Sequence, residues 1–378
     1  MQLHIGSKHL AADVAMALDV SGREHLVVVA KATWSIPEPG QRPRPLPPQP
    51  LAMSDEYYGE PGESALRYGA DMSRFKPRCD VIFDACAHSA HGQPMTELLA
   101  GFELGPLRKQ LKVSGPRRWQ RVKDSRTDYE LGAAEAFTRV PMHYGLAFGG
   151  TRWYEQGKDR LCEAHLHNPA GLGYAGQHTA GGMHHQSAHQ LEHPQHAVRQ
   201  PTDRIEPVGL SAIGRHWLPR RNHAGTHDET WRQEVFPLLP GDFDEQFHQC
   251  APQDQQMPYP QGGEIVRLIN LLPGRPDVRF VLPALAMHVR ILRQDYSELS
   301  PTTSADTLYF ETEQRRFSVV WRASVPLKKN LQELKDVAIG PIDPLWWKAR
   351  LAGHAGGGCI GCNTQAENQT PNEQETTE

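Results

Sequence analysis

Residues 208–264, VGLSAIGRHWLPRRNHAGTHDETWRQEVFPLLPGDFDEQFHQCAPQDQQMPYPQGGE, constrain the fold more than any other part of the chain. Short helix starts alternate with proline stops, and large aromatics recur at the joints. Thr226 and Glu229 have the spacing of a capping box, which predicts a short helix carrying Trp231 and Val235 on one face. Pro237 ends that helix near Phe236. After the turn at Pro240-Gly241, Asp242 is placed to cap a second helix, with Glu245 three residues on and Phe243 and Phe247 one turn apart. Residues 251–256 and Pro258-Tyr259-Pro260 then force an irregular, extended path. A segment so rich in Trp, Phe and Pro must lie on a larger platform, because its rings lose too much free energy in water.

The rest of the chain predicts that platform to be β. Residues 26–34, LVVVAKATW, read as a buried strand paired with an earlier one around 12–18. Residues 79–88 form a further strand, and 95–104 with 107–113 a hairpin turning at Gly105-Pro106. Strands are expected at 266–271, 278–282 and 284–291, and a hairpin pairs 307–311 with 316–323 around Glu313-Gln314. The 33 glycines and 31 prolines favour turns and strands over long helices. Residues 36–50 hold seven of those prolines, which predicts a stiff, exposed arm. Leu327, Leu331, Leu334 and Ala338 fall at helical spacing before Gly340-Pro341, and Asp343-Pro344 predicts a last short helix with Trp346, Trp347 and Leu351.

The expectation is a mainly β fold (β-rich α+β), with antiparallel sheets, long irregular Pro/Gly-rich loops and a few short helices. Residues 1–352 read as a single large domain, open to division into two sub-domains near 150–205. Residues 178–200 read as a His-rich loop insertion, and residues 353–378 as a Gly-rich, then polar, disordered tail.

Composition narrows the function classes. The net charge of −4 comes from charges of both signs spread along the chain, and no long basic run suggests nucleic acid or an anionic membrane. The N-terminus lacks the sections of a signal peptide, and no stretch approaches the roughly 20 apolar residues that span a bilayer. The six cysteines are scattered, except for Cys359 and Cys362, so a reduced, cytoplasmic chain is expected.

Candidate chemistry is sparse. His189-Gln190-Leu191-Glu192-His193 matches the H-x-x-E-H pattern of inverted zinc peptidases, in which two histidines on one helical face grip Zn²⁺ and the glutamate activates water. Its Gly- and Pro-bearing flanks leave little helix to hold that geometry, and a solvated loop is the plainer expectation. Residues 171–176, GLGYAG, fit G-x-G-x-x-G but lack the apolar strand before and the helix after that a pyrophosphate site needs, so a turn is expected. Cys359-Ile360-Gly361-Cys362 is half of a zinc or redox motif and reads as a mobile thiol pair. No G-x-S-x-G is present, and the acidic cluster Asp242, Asp244 and Glu245 suits the first turn of a helix better than acid–base work.

Several separated motifs carry a resemblance. Gly209, Trp217-Leu218-Pro219-Arg220, Gly225-Thr226, Asp228-Glu229, Trp231, Leu239-Pro240, Asp242-Phe243-Asp244, Ala251-Pro252 and Asp254-Gln255 resemble a signature of the bacterial domain of unknown function 2169 family, found with type VI secretion systems. Asp55, Tyr57, Gly59, residues 64–68, Asp71, Lys76-Pro77 and Asp80 resemble its N-terminal signature, and Val140-Pro141, Tyr144, residues 147–150 and 168–173 continue it.

The resemblance implies a cytoplasmic, non-enzymatic adaptor or chaperone. Such a protein binds an effector and helps load it onto the spike, a valine–glycine-repeat trimer with a PAAR-repeat tip. No cofactor is expected, and the charge and hydropathy patterns argue against nucleic-acid and membrane partners. Trp217, Arg220, Trp231, Phe243, Phe247, Trp346 and Trp347 are the candidate partner-binding residues, since aromatics and Arg supply most interface energy. The last two are favoured because adjacent tryptophans on a short terminal helix are not expected both to be buried. The alternatives are a zinc-dependent hydrolase built on His189, Glu192 and His193, and a structural component of the secretion tail.

Overall fold

The β-branched run Leu26-Val27-Val28-Val29 forms the middle of a sheet, as its pattern requires, because a strand buried on both faces reads as a continuous apolar run. The computed structural model describes residues 1–125 and 128–353. In the central sheet the strands lie in the order Gln256–Met257, Cys79–Asp84, Ser304–Glu311, Arg316–Pro326, Glu24–Ser35 and Ala11–Leu18. Neighbours are antiparallel, with Val14 opposite Val28 and Val319 opposite Ala32, except that Cys79–Asp84 runs parallel to Ser304–Glu311.

A second sheet covers one face, in the order Leu191–Glu192, Leu107–Ser114, Glu97–Leu104, Ile265–Leu272 and Arg275–Val281. Between them lies the main core. Phe83 stands 4.6 Å from Phe102 across the two sheets and 4.9 Å from Phe310 beside it, and Leu104, Val266 and Val319 complete the layer. Each such side chain contributes roughly 1.5–3 kcal/mol by leaving water. A smaller sheet, ordered Gln2–Ile5, Leu334–Ile339, Val289–Arg293 and Glu298–Leu299, packs Val337 and Ile291 against Leu26 and Val28. The fold is mainly β, with several antiparallel sheets and few short helices.

Four local expectations differ from the structure. The helix read at residues 327–338 is a single turn, Leu331–Glu333, followed by the strand Leu334–Ile339, which runs parallel to Gln2–Ile5. Leu334, Val337, Ala338 and Ile339 are all buried, and an apolar run this short fits either period. The strand expected at 284–291 forms later, at Val289–Arg293. The proline arm is mostly exposed, as expected, but it is not free: Pro45 and Leu46 pair with Trp34 and Thr33, and Ser35 N–H donates to Arg44 O at 2.9 Å. The His-rich insertion is no free loop either, since Leu191 pairs with Val113, and Met183, Ala188 and Val198 are buried beside Trp119.

The terminal helix, Pro344–Leu351, forms as its cap predicts, with Asp343 Oδ1 accepting from Leu345 N–H at 2.8 Å. Both of its tryptophans are nevertheless interior, which corrects the expectation for Trp346 and Trp347. Adjacent helical positions lie within an apolar stripe about 100° wide, so one face holds both. Trp346 and Trp347 pack on Leu292 and Ala338, Trp346 meets the His4 ring at 4.9 Å, and Trp347 Nε1–H donates to Glu298 Oε1 at 2.9 Å. Leu345, 72% exposed, takes the outward face instead. The tail from residue 354, with Cys359 and Cys362, lies outside the described residues.

Candidate functional site

The long irregular segment is fastened to the platform by buried charge. Asp80, on the Cys79–Asp84 strand, is fully buried and accepts from Lys76 Nζ at 2.8 Å, Gln249 Nε2 at 2.6 Å, Cys250 N–H at 2.9 Å and Ala251 N–H at 3.1 Å. Lys76 Nζ also donates to Thr307 Oγ1 at 2.9 Å. Burial opposes the lysine's charge, yet Asp80 and its neighbours raise the pKa above the usual lysine value, so Lys76 stays charged.

Other buried charges flank it within the platform. Lys31 pairs with Asp71 at 3.0 Å, and Arg322 donates from Nε to Asp306 at 2.6 Å and from Nη1 to the carbonyls of Asp71 and Ser73. On the covering sheet, Lys109 Nζ donates to Asp254 and Gln255 at 2.9 Å each, while Gln255 Nε2 donates to Val81 O and Leu210 O. Burial lowers the Lys109 pKa, and Asp254 opposes that shift. Residues 249–255 thus clamp both sheets of the main core.

Trp217 and Arg220 belong to this support, which corrects their reading as exposed contact residues. Trp217 is 1% exposed, with Tyr144 edge-on at 5.7 Å. Arg220 is buried, and its guanidinium donates to Ile213 O at 3.0 Å and twice to Phe247 O, at 3.0 and 2.9 Å. A buried guanidinium is tolerated because carbonyls satisfy it.

Above that base projects a lobe, residues 222–240, whose side chains are mostly exposed. Gly225 permits its entry turn at φ +77°, where a Cβ would stand 2.8 Å from Pro240 and 2.9 Å from Asp242. Asp242 closes the lobe by accepting from Thr226 N–H at 2.9 Å and Thr226 Oγ1–H at 2.7 Å, rather than capping a helix. Asp244 caps the turn Glu245–His248 instead, accepting from Gln246 N–H. The first helix is one wide turn, with Phe236 N–H bonded to Trp231 O and Asp228 holding Trp231 N–H.

Trp231 is half-buried, meets His227 at 4.4 Å and Phe236 at 5.6 Å, and donates from its indole N–H to Leu238 O. Phe236 is 65% exposed, and Leu238 stands beside it. Phe243 and Phe247 are half-buried at the base, 5.8 Å apart, with His248 against both. Of the proposed contact residues, the structure therefore gathers Trp231, Phe243 and Phe247 at the lobe and places Trp217 and Arg220 beneath it. Trp346 and Trp347 lie apart, in the small sheet's core. Sequence reasoning missed Phe236, noted only as a helix end, and Leu238. It also missed Trp153, 57% exposed on the hairpin of Thr151–Gln156 and Asp159–Ala164, with Arg160 over its ring at 4.8 Å.

The zinc-peptidase geometry is not assembled. No helix spans these residues: Glu192 lies on the short strand Leu191–Glu192 and His189 on irregular chain before it, the two bond to each other at 2.9 Å, and Arg117 reaches both, with Nη2 2.9 Å from Glu192 Oε2. Burial lowers the His189 pKa, while the bonds from His189 and Arg117 hold Glu192 at about 2 against its burial. His193 turns away and stacks on His196 at 4.4 Å. Among the described residues no group of three or more His, Cys, Asp or Glu side chains is arranged to hold a metal ion. Residues 171–176 hold a short strand in place of the expected turn: Leu172–Gly173 runs parallel to Phe148–Gly149, and the helical turn that follows, Ala180–Gly182, is only three residues long. A cleft of about 1030 Å³ opens beside Lys109, between His193, His196, Glu206 and Asp254. No helix among the described residues is long and apolar enough to cross a membrane.

A family model described as "Uncharacterized protein conserved in bacteria (DUF2169)" matches residues 21–322. The chain belongs to the DUF2169 family. Comparison with curated proteins and with solved structures finds no match. The span shared with DUF2169 takes in the Asp80 hub, the Lys109 clamp and the whole lobe. It stops before the terminal helix, so the DUF2169 match covers Trp231 and Phe236 but neither Trp346 nor Trp347.

Proposed function

We propose that this DUF2169 chain is a non-enzymatic adaptor or chaperone that grips another polypeptide. Its cargo is an effector of a type VI secretion system, and it acts in the cytoplasm to load that effector onto the spike trimer and its PAAR-repeat tip. The observation that carries the polypeptide-binding reading is the lobe: Phe236 and Leu238 are exposed and Trp231 is half-buried beside Phe236, on a segment whose base is held by hydrogen bonds to the buried Asp80 carboxylate and to Lys109. Solvent-facing rings on a rigid support are what a protein interface uses, because little entropy is lost when they are covered. The secretion assignment rests on the resemblance of the sequence motifs.

The test is purification of the tagged protein from its native host, alongside the Trp231→Ala/Phe236→Ala double variant. The expected result is an effector and spike proteins co-purifying with the natural chain and depleted from the variant. Recovery of neither, or equal recovery by the folded variant, contradicts the proposal.

A further inference from the structure

The outer edge of the central sheet is the strand Ala11–Leu18, and among the described residues no strand flanks it on the far side. Its inner side is paired along its whole length with Glu24–Ser35, from Ala11 opposite Lys31 to Leu18 opposite Glu24. Glu24 O accepts from Leu327 N–H on the other flank of that strand. Alternation then turns the backbone groups of Glu24, Leu26, Val28 and Ala30 towards Arg316–Pro326, and those of His25, Val27, Val29 and Lys31 towards Ala11–Leu18. The same register leaves the N–H and C=O groups of Ala12, Val14, Met16 and Leu18 pointing away from the sheet. Val14 agrees with this, since its N–H is met by the neighbouring Asp13 Oδ1 at 2.8 Å and by no other strand.

Such an edge is usually guarded by charge or proline. The long outer strand of the covering sheet follows that rule: Arg275–Val281 reads RPDVRFV, with Arg275, Pro276, Asp277 and Arg279 along it. Ala11–Leu18 reads AADVAMAL, with Asp13 as its sole charge and no proline, and Met16 is 42% exposed. We infer that Ala11–Leu18 is a docking edge for an extended segment of another polypeptide, which joins the central sheet as an added strand.

The inference rests on the polypeptide-gripping reading above and supplies its mode. Backbone bonds hold the added strand, and side chains set its preference. Ala11, Ala15 and Ala17 leave room on one face, so the segment that fits carries bulky apolar residues at alternate positions and no proline.

The occupant is another protein rather than a second copy of this chain. The apolar surface runs on past the strand: Val20 is exposed in the turn, and a Cβ on Gly22 would stand 3.2 Å from Leu238 Cδ1, which places the lobe against that turn. A separate segment can continue from Leu18 over Val20 to Leu238 and Phe236. A second copy, paired antiparallel across a twofold axis, would bring its residues 6–10 to that end. These are committed elsewhere, with Gly6 N–H bonded to Ile339 O and Leu10 N–H to Ser7 O.

The test is selection of binders from a phage-displayed library of random linear peptides, followed by affinity measurement on a selected synthetic peptide. Met16→Pro removes one outward N–H without touching the inner ladder, and Met16→Ala keeps it. The expected outcome is a loss of affinity of about tenfold for Met16→Pro and a change within about twofold for Met16→Ala. Hydrogen exchange on the unmutated chain, which needs no variant to fold, is expected to slow at Val14, Met16 and Leu18 when peptide is added.

Protection at another surface, affinity indifferent to Met16→Pro in a folded variant, or no enriched peptide overturns the inference. So does concentration-dependent self-association that protects the same amides without peptide. If host effector is captured equally by Met16→Pro, the edge is wrong and the gripping role stands. If peptides dock on the edge but no effector or spike protein is recovered from the host, the edge stands and the secretion role is wrong.

Discussion

The Asp80 carboxylate lies 2.8 Å from Lys76 Nζ and accepts the Cys250 amide at 2.9 Å, so one fully buried side chain joins a sheet strand to the segment that bears the lobe. Removing one member of such a pair strands the other charge in the interior. Lys76→Met is expected to cost about 3–5 kcal/mol in urea-induced unfolding. A loss below about 1 kcal/mol would show that the pair does not fasten the segment.

The lobe is expected to behave in the opposite way. Phe236 faces water and Trp231 is half-buried against residues of its own lobe, so removing both rings by Trp231→Ala with Phe236→Ala should move global stability by less than about 1 kcal/mol, because neither change reaches the main core. Thermal unfolding of the double variant checks this, and a collapse of the transition would reassign both rings to the support.

Acid should loosen the protein before its carboxylates titrate. Burial depresses His143 and His165 to about 4, and burial with Arg220 and Arg322 nearby depresses His248 to about 3. These side chains are neutral when folded and take up protons near 6.5 when unfolded, so the unfolded state binds more protons below that value. Stability is full above about pH 6.5 and falls as pH drops towards 4, by roughly 1 kcal/mol per pH unit for each histidine. Unfolding free energies measured between pH 7 and 5 check the slope, and a flat profile would show that these histidines are solvated.

Thiol labelling separates the cysteines of the described chain. Burial pushes the Cys86 and Cys250 thiols up to about 12 and raises Cys79 well above the ordinary thiol value, while Cys162 is exposed on the hairpin of Thr151–Gln156 and Asp159–Ala164. An alkylating reagent near neutral pH is expected to modify Cys162 and to spare the other three until denaturant is added, as read by peptide mapping.

Much of the platform was legible in the sequence because its strands are β-branched runs bounded by glycine and proline. The pairs 12–18 with 26–34 and 95–104 with 107–113 appear at nearly the expected positions. The helix read at 327–338 failed because Leu334–Ile339 is buried on both faces, which erases the difference between the two periods. The site was half legible. Composition marks ring-rich segments, yet exposure is decided by tertiary partners: Arg220 finds Phe247 O and Ile213 O and goes inside, while Phe236 meets the Trp231 ring of its own lobe and stays out. The buried ions were invisible for the same reason. Nothing in the spacing of Lys76, Asp80 and Asp306 marks them as buried partners until the fold brings them together.

Isothermal titration of the purified chain with its cognate effector tests the gripping role most directly, using the natural chain and the Trp231→Ala/Phe236→Ala variant. The account predicts saturable binding by the natural chain and a loss of at least about 2 kcal/mol, some thirtyfold in affinity, when both rings are removed. Equal affinity for the two proteins, or heat of turnover in place of saturable binding, would contradict it.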